Sequence, residues 1–315
     1  MGSESTSARP KRHPSASPDT PNKKRPTVGE EGSSADAEDA ITRDEIQGAG
    51  PASDDSNSGK VRNAFSELMA PKPRPKPDTR PVSSKIKAGS YAARDGLGYY
   101  IANAESLPSS SVVFASPSFV AIHDLYPKAT VHCLLLPRSM DKSLLHPFDA
   151  FEDAGFLAST RAEAARLKDL VARELQRLVG EHSVADGPRR AVLDGEVEPE
   201  TDAEGRVVLP QGRDWMAEVM VGVHARPSMN HLHVHVLSRD MYSASLKVRK
   251  HYNSFTTDFF VPLEDFPLAA DDPRRDQAGW HEKPMRCWRC GRNFGNRFQE
   301  LKKHLKVEFR EWRGE

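Results

Sequence analysis

The chain lacks the features that would place it in several large protein classes. It has 3 cysteines in 315 residues, too few and too unevenly placed for the disulfide framework of a small secreted protein. No apolar run approaches the roughly 20 residues needed to cross a bilayer as a helix, and the N-terminus has no hydrophobic signal core. The expectation is a chain in a reducing compartment with no membrane partner. Residues 1–84 hold few aliphatic residues and no helical or alternating period. Ser, Pro, Asp, Lys and Arg dominate there, and such a segment buries too little apolar surface to offset its ordering entropy, so a disordered arm is expected. Net charge is absent too: 45 Lys and Arg balance 45 Asp and Glu, so the total says nothing about a nucleic-acid partner. No internal repeat is present.

The distribution of charge says more. Lys11-Arg12 and Lys23-Lys24-Arg25 have the layout of a bipartite nuclear import signal, which gives an expected location in the nucleus, with a cytoplasmic pool allowed. The alternative is an ordinary solvated basic tail.

Three histidines alternate in Ser228-Met-Asn-His231-Leu-His233-Val-His235-Val-Leu-Ser238, and Leu232, Val234 and Val236 between them are apolar. In a strand this spelling puts three imidazoles on one face and an aliphatic row on the other, against a core. Imidazole suits nucleophilic and acid–base work near neutral pH. His-x-His on a strand can also bind zinc in a hydrolase. A plain polar strand is the dull alternative.

Around that run the pattern reads as α+β. A helix is expected over about 90–104, with Leu97, Tyr100, Ile101 and Ala104 at helical spacing and Pro108 beyond it. Val112–Ala115 and Phe119–Ile122 read as a hairpin, and Val131–Leu136 as a buried strand that makes Cys133 an inert thiol. A long helix follows over about 148–179, stopped at Gly180. Residues 184–212 are Gly-, Pro- and acid-rich and look like a surface insertion. Strands over 215–223 and 231–237 complete the unit.

The C-terminal segment carries a second motif. Cys287-Trp-Arg-Cys290-Gly is followed by His304 on a stretch where Phe298, Leu301, Leu305 and Phe309 have helical spacing. A knuckle with Cys-x-x-Cys and a helix with His fits a ββα zinc finger. The usual second histidine is missing, and Glu308 stands one turn on, on the face of His304. Carboxylate is an acceptable zinc ligand, so the expected set is Cys287, Cys290, His304 and Glu308 around one structural ion. Water or another residue is the alternative fourth ligand. Arg286, Arg289, Arg292, Arg297, Lys302, Lys303 and Lys306 make the module's surface basic, which suits phosphate-backbone contact.

The run His-φ-His-φ-His-φ-φ, with φ apolar, resembles the signature of the histidine triad (HIT) superfamily of nucleotide hydrolases and transferases. Asp124-Leu-Tyr-Pro127-Lys-Ala129 and His132-Cys-Leu-Leu-Leu-Pro137 are similar to that superfamily's nucleoside-binding strand pair. Val221-Gly-Val-His224-Ala-Arg-Pro-Ser228 and Ser243 to Phe255 resemble one branch, the aprataxins, which remove AMP from adenylated 5′ ends of DNA after failed ligation. The resemblance implies a fold, an antiparallel sheet with helices plus the zinc finger, and domains at 85–262 and 263–315 behind the arm at 1–84. The arm stands where animal aprataxins carry a phosphopeptide-binding domain.

It also implies roles. His233 is the nucleophile, forming a covalent adenylate, and its other ring nitrogen needs an acceptor, either a backbone carbonyl or His132. His231 and His235 orient the phosphate, and His224 and Ser228 contact its leaving-group side. Asp124 accepts the ribose hydroxyls, while Ile122, His123 and Leu125 line the adenine pocket. Tyr126, Pro127, Lys128, Tyr242, Ser243, Lys247 and Lys250 touch DNA, and Tyr99 or Tyr100 stacks on the terminal base pair. The chemistry needs no further cofactor, and AMP is the product. Two rivals remain: a general HIT hydrolase of small AMP conjugates, and a non-catalytic DNA-end binder.

Overall fold

The computed structural model describes residues 93–276 and 278–315. The arm at 1–84 and its basic clusters lie outside the described residues. The first element is α1 (Gly96–Asn103), flanked by short 3-10 turns at Ala93–Asp95 and Ala104–Ser106. β1 (Val112–Ala115), β2 (Phe119–His123) and β3 (His132–Pro137) follow as an antiparallel meander, matching the sequence pattern within a residue or two.

The expected helix over 148–179 is two. His146 accepts from the Phe148 amide and Pro147 starts a single turn, α3 (Pro147–Ala150), after the equally short α2 (Met140–Ser143). Asp153 then accepts from the Phe156 amide at 3.0 Å, capping a new helix, α4 (Ala154–Val179). Its buried stripe of Leu157, Ala164, Leu167, Val171 and Leu175 packs on the sheet. Gly180 ends it, as the sequence suggested.

The 184–212 segment carries α5 (Gly187–Leu193) and a small exposed hairpin, β4 (Glu200–Thr201) and β5 (Val207–Val208). Its base is not superficial. Buried Asp186 accepts from Trp215 Nε1 at 2.9 Å and from the Arg213 amide at 2.8 Å. That anchoring holds Trp215 outside the ladder, so the next strand, β6 (Val219–His224), starts later than expected. β7 (Val234–Ser238) is also shorter than the alternation implied. Ahead of it the backbone turns elsewhere: the Asn230 amide donates to Arg94 O at 2.9 Å and the Leu232 amide to Ser143 O at 2.8 Å. His231 and His233 therefore precede the strand, and His235 lies within it.

Two further elements also went unread in the sequence, α6 (Arg249–Thr256) and the edge strand β8 (Phe260–Pro262). The main sheet runs β1-β2-β3-β7-β6-β8, antiparallel throughout. The finger consists of β9 (Met285–Arg286), β10 (Asn293–Gly295) and α7 (Phe298–Gly314), the expected ββα order.

Strand alternation sorts the core. Phe119, Ala121, Cys133, Leu135, Val234 and Val236 face α4. On the opposite face Val120, Ile122, Leu134 and Leu136 pack with Leu97 of α1. Further along that face Leu237, Tyr252 and Phe255 join Met285, Cys287, Phe294, Leu301 and Leu305 of the finger in one apolar cluster. His132 on β3 and His235 on β7 stand at the seam between these two clusters.

Candidate active site and zinc centre

The sequence's aliphatic row is buried as expected, with Leu232, Val234 and Val236 each at most 1% exposed. Across from it the imidazoles converge. His233 and His235 have ring centroids 4.9 Å apart, His235 and His224 4.4 Å, and His235 and His132 5.2 Å. Phe255 of α6 meets three of these rings, at 4.7 Å from His224, 5.1 Å from His235 and 5.4 Å from His132. Phe255 seals the floor of the cluster, a role that its place in a charged stretch did not advertise.

Hydrogen bonds fix the tautomers of His233, His132 and His235. His233 Nδ1 lies 2.7 Å from the carbonyl oxygen of His231. A carbonyl can only accept, so Nδ1 holds the hydrogen and Nε2 keeps a lone pair for attack. The acceptor for His233 is thus the backbone, not His132. His132 serves His235 instead. The Lys128 amide donates to His132 Nδ1 at 3.1 Å, which leaves His132 Nε2–H to donate to His235 Nδ1 at 3.0 Å. His235 Nε2 then carries a hydrogen as well. A chain of two rings converts one backbone amide into a fixed donor inside the site.

Burial disfavours the charged form of every ring here. It holds His132 down to about 4, lowers His233 and His231, and keeps His224 and His235 well below the ordinary imidazole value. The cluster is neutral at physiological pH. Among the described residues four buried side-chain N or O atoms have no hydrogen-bond partner, and His224 Nε2, His231 Nδ1 and His235 Nε2 are three of them. Leaving such a group unpaired costs about 1–3 kcal/mol. Of these, His235 Nε2 carries its hydrogen and can donate to an oxygen of a phosphate.

Asp124 sits at the edge of this cluster, its Oδ1 accepting the Tyr126 amide at 2.8 Å and its Oδ2 3.4 Å from His132 Nδ1. Asp124, His132 and His235 lie close enough to hold a metal ion, the geometric trace of the His-x-His zinc alternative, but the Lys128 amide already takes the His132 Nδ1 lone pair. Ile122 is on the site's face, buried in the α1 cluster, and Leu125 is 68% exposed. His123 is a correction. It alternates away from Ile122, and its Nδ1 lies 3.8 Å from the Sγ of Cys133 on the α4 side of the sheet, so it cannot line the same pocket. Burial pushes the Cys133 thiol up to about 12, consistent with an inert side chain.

Of the residues expected to touch DNA, Lys128 donates from Nζ to Tyr126 O, and Ser243 Oγ donates to Pro127 O, joining the two loops. Tyr242 stacks on Phe309 of α7, with centroids 4.4 Å apart, and so packs the finger against the catalytic unit. The Lys247 amide donates to His251 Nδ1, and Lys250 is in the first turn of α6. The Ser228 carbonyl accepts from Arg94 Nε at 2.9 Å. Tyr100 packs into the α1 cluster, with Tyr99 edge-on to it at 5.9 Å.

In the finger, Cys287, Cys290, His304 and Glu308 bring one ligand atom each to within 4.8 Å of one another. His304 Nε2 is 3.1 Å from Cys290 Sγ and 2.9 Å from Glu308 Oε1. Two sulfurs, a nitrogen and an oxygen at this spacing fit a four-coordinate zinc ion. Glu308 is 5% exposed, which an unliganded surface glutamate would not be. Arg289 Nη1 holds its second oxygen, Oε2, at 2.7 Å, a contact that sequence spacing did not suggest.

Comparisons with known proteins agree with this geometry. The HIT domain model matches residues 107–242, and the model described as "C2HE / C2H2 / C2HC zinc-binding finger" matches 256–311. An aprataxin-like protein of Saccharomyces cerevisiae is 33% identical over 69% of this chain and 95% of its own length. One of Schizosaccharomyces pombe is 30% identical over 80% and 95%. A crystal structure of the aprataxin ortholog Hnt3 in complex with DNA superposes with a TM-score of 0.54 at 26% identity, covering 70% of this chain and 96% of that one.

Proposed function

The chain belongs to the aprataxin family of the HIT superfamily, and from that premise we propose that it is a DNA repair enzyme that hydrolyses AMP from adenylated 5′ ends of DNA. The observation that carries the reading is the tautomer arrangement of the triad. His233 Nε2 is a bare lone pair because Nδ1–H is tied to His231 O. His235 Nε2–H stands ready for a phosphate oxygen.

In the first step the His233 Nε2 lone pair attacks the phosphorus of AMP. An N–P bond forms, the P–O bond to the DNA 5′-phosphate breaks, and the DNA end departs with that electron pair. In the second step water attacks the same phosphorus and gives up one proton to solvent. The N–P bond breaks, returning the pair to Nε2, and AMP leaves with the new oxygen. Two smaller barriers replace one large one. His231 and His235 hold the non-bridging oxygens as charge builds, and His224 and Ser228 border the leaving group. Asp124 accepts from the ribose hydroxyls, with Ile122 and Leu125 beside the base.

The finger would hold one zinc ion through Cys287, Cys290, His304 and Glu308. That ion supplies folding energy to a module too small to fold on apolar burial alone, while the basic surface engages the phosphate backbone. The reaction itself is assigned to the histidines. Lys11-Arg12 and Lys23-Lys24-Arg25 support residence in the nucleus.

The test is a nicked duplex bearing a 5′-adenylate, incubated with wild-type protein and with His233→Ala. AMP release by the wild type, its loss in the variant and unchanged duplex binding by both are the expected results. Turnover of small AMP conjugates but not of the duplex would favour a general HIT hydrolase. Turnover of neither would favour an end binder.

A further inference from the structure

The platform on which the first triad histidine rests is a glycine. His231 lies ahead of β7, so no strand partner fixes its ring. α1 does so instead. A Cβ at Gly98 would fall 2.8 Å from His231 Cε1 and 2.9 Å from Nε2, closer than real atoms approach. At Gly96, two residues away on the same helix, a Cβ would meet Met229 Cε at an ordinary 3.6 Å. The close approach is therefore particular to the turn facing His231.

Three polar contacts hold helix and loop at that separation. Arg94 Nε donates to Ser228 O at 2.9 Å, the Asn230 amide to Arg94 O at 2.9 Å, and Asn230 Nδ2 to Asp95 Oδ1 at 2.7 Å. Leu97, one residue before Gly98, is buried in the cluster with Ile122 and Leu134, so α1 is seated on the sheet and cannot simply retreat. Packed interiors do not yield a methyl's width without strain.

We propose that Gly98 is a positioning residue for the reaction: its bare backbone lets the Cε1–Nε2 edge of the His231 ring come close to α1 and sets that ring's place beside the phosphate. Gly98 touches no reacting atom and acts through His231. The inference rests on the reading of the site as an AMP-releasing one. A ring displaced by about an ångström from a phosphate costs up to about a hundredfold in rate.

The experiment is a double-mutant cycle on 5′-adenylated nicked duplex with the full chain. Gly98→Ala should lower kcat ten- to a hundredfold (roughly, by that same misplacement argument) with little change in KM. Its melting temperature should fall only slightly, because alanine's preference for the helix offsets much of the overpacking. Gly96→Ala should keep wild-type kcat. In a His231→Ala background Gly98→Ala should have no further effect on the residual rate, since the two act as a unit. The imidazole resonances of His231 should shift in Gly98→Ala while those of His304 stay.

A fully active Gly98→Ala, or an equal loss in the His231→Ala background, would overturn the inference. So would equal losses in Gly96→Ala and Gly98→Ala. A wild-type protein that releases no AMP would instead sink the reading of the site.

Discussion

Burial lowers the proton affinity of each imidazole around His235, and the consequences run in one direction. An unfolded histidine titrates near about 6.5, whereas folded His132 is held at about 4 and His224 and His235 well below their usual value. Between those limits the unfolded chain binds protons that the folded chain refuses. Stability is therefore full above about 6.5 and falls as the pH drops, by about 1.4 kcal/mol per pH unit for each such ring. Activity follows a related rule. His233 attacks only as the free base, and its own value is lowered, so the acid limb of kcat/KM should lie clearly below 6.5. A pH–rate profile on adenylated duplex checks this, and an acid limb at or above 6.5 would contradict a neutral buried cluster. Replacing His132 by phenylalanine removes the donor that fixes His235, and a fall in kcat without loss of binding is the expected signature.

At the scale of elements, Arg289 bears on how a glutamate would take a histidine's place in the proposed zinc site. Glu308 extends from α7 one turn beyond His304, and Arg289, in the Cys-x-x-Cys turn, grips the oxygen that faces away from the ligand cluster. The remaining oxygen is left aimed at the sulfurs and imidazole. Outer-shell contacts of this kind are worth roughly 10- to 100-fold in metal affinity. Arg289→Ala should weaken zinc binding by about that much in a chelator competition, and should have little effect once Glu308 is replaced by histidine. Equal losses in both backgrounds would mean that Arg289 supports the fold and not the ligand.

The cluster of Cys287, Cys290, His304 and Glu308 was legible because Cys-x-x-Cys and i, i+4 spacing are local patterns. The sheet strands and α4 were legible for the same reason, through periods of two and 3.6. α6 was not: it has eight residues, begins Arg-Lys-His, and offers only Tyr252 and Phe255 as apolar anchors, too few for a period to register. Three-residue β8 left no trace either. The early end of the β7 ladder came from Arg94 and Ser143 taking its amides, partners distant in sequence. The place of His123 could have been read, since alternation alone sets it opposite Ile122.

Over the whole molecule, catalytic unit and finger share material that sequence suggested dividing near residue 262. Met285, Cys287, Phe294, Leu301 and Leu305 belong to one apolar cluster with Leu237, Tyr252 and Phe255, and Phe255 is the ring against which three imidazoles of the proposed site lean. Tyr252 binds the finger directly, donating to Arg286 O at 2.8 Å and accepting from the Trp288 amide at 2.9 Å. The far end of α7 is tied as well. Arg213 lies between the rings of Trp215 and Trp312 and donates to Trp312 O, while the amides of Val184 and Ala185 donate to Gly314 O and Glu315 O. The insertion at 184–212 thereby gains a structural role at its base, as the seat for the end of the finger helix. A metal held by a finger so embedded would not be lost without consequence for the rest of the fold. Removing zinc by chelation, or by Cys287→Ala, should loosen the Leu301–Leu305 packing, then α6, then the floor beneath His132, His224 and His235. The expected result is a single unfolding transition moved to lower temperature, together with a lower kcat at saturating duplex and weaker duplex binding. Calorimetry and single-turnover kinetics on the same chelated sample would measure both. Two separate transitions, with the upper one and the rate of AMP release unchanged, would show that the two units fold independently despite their common core.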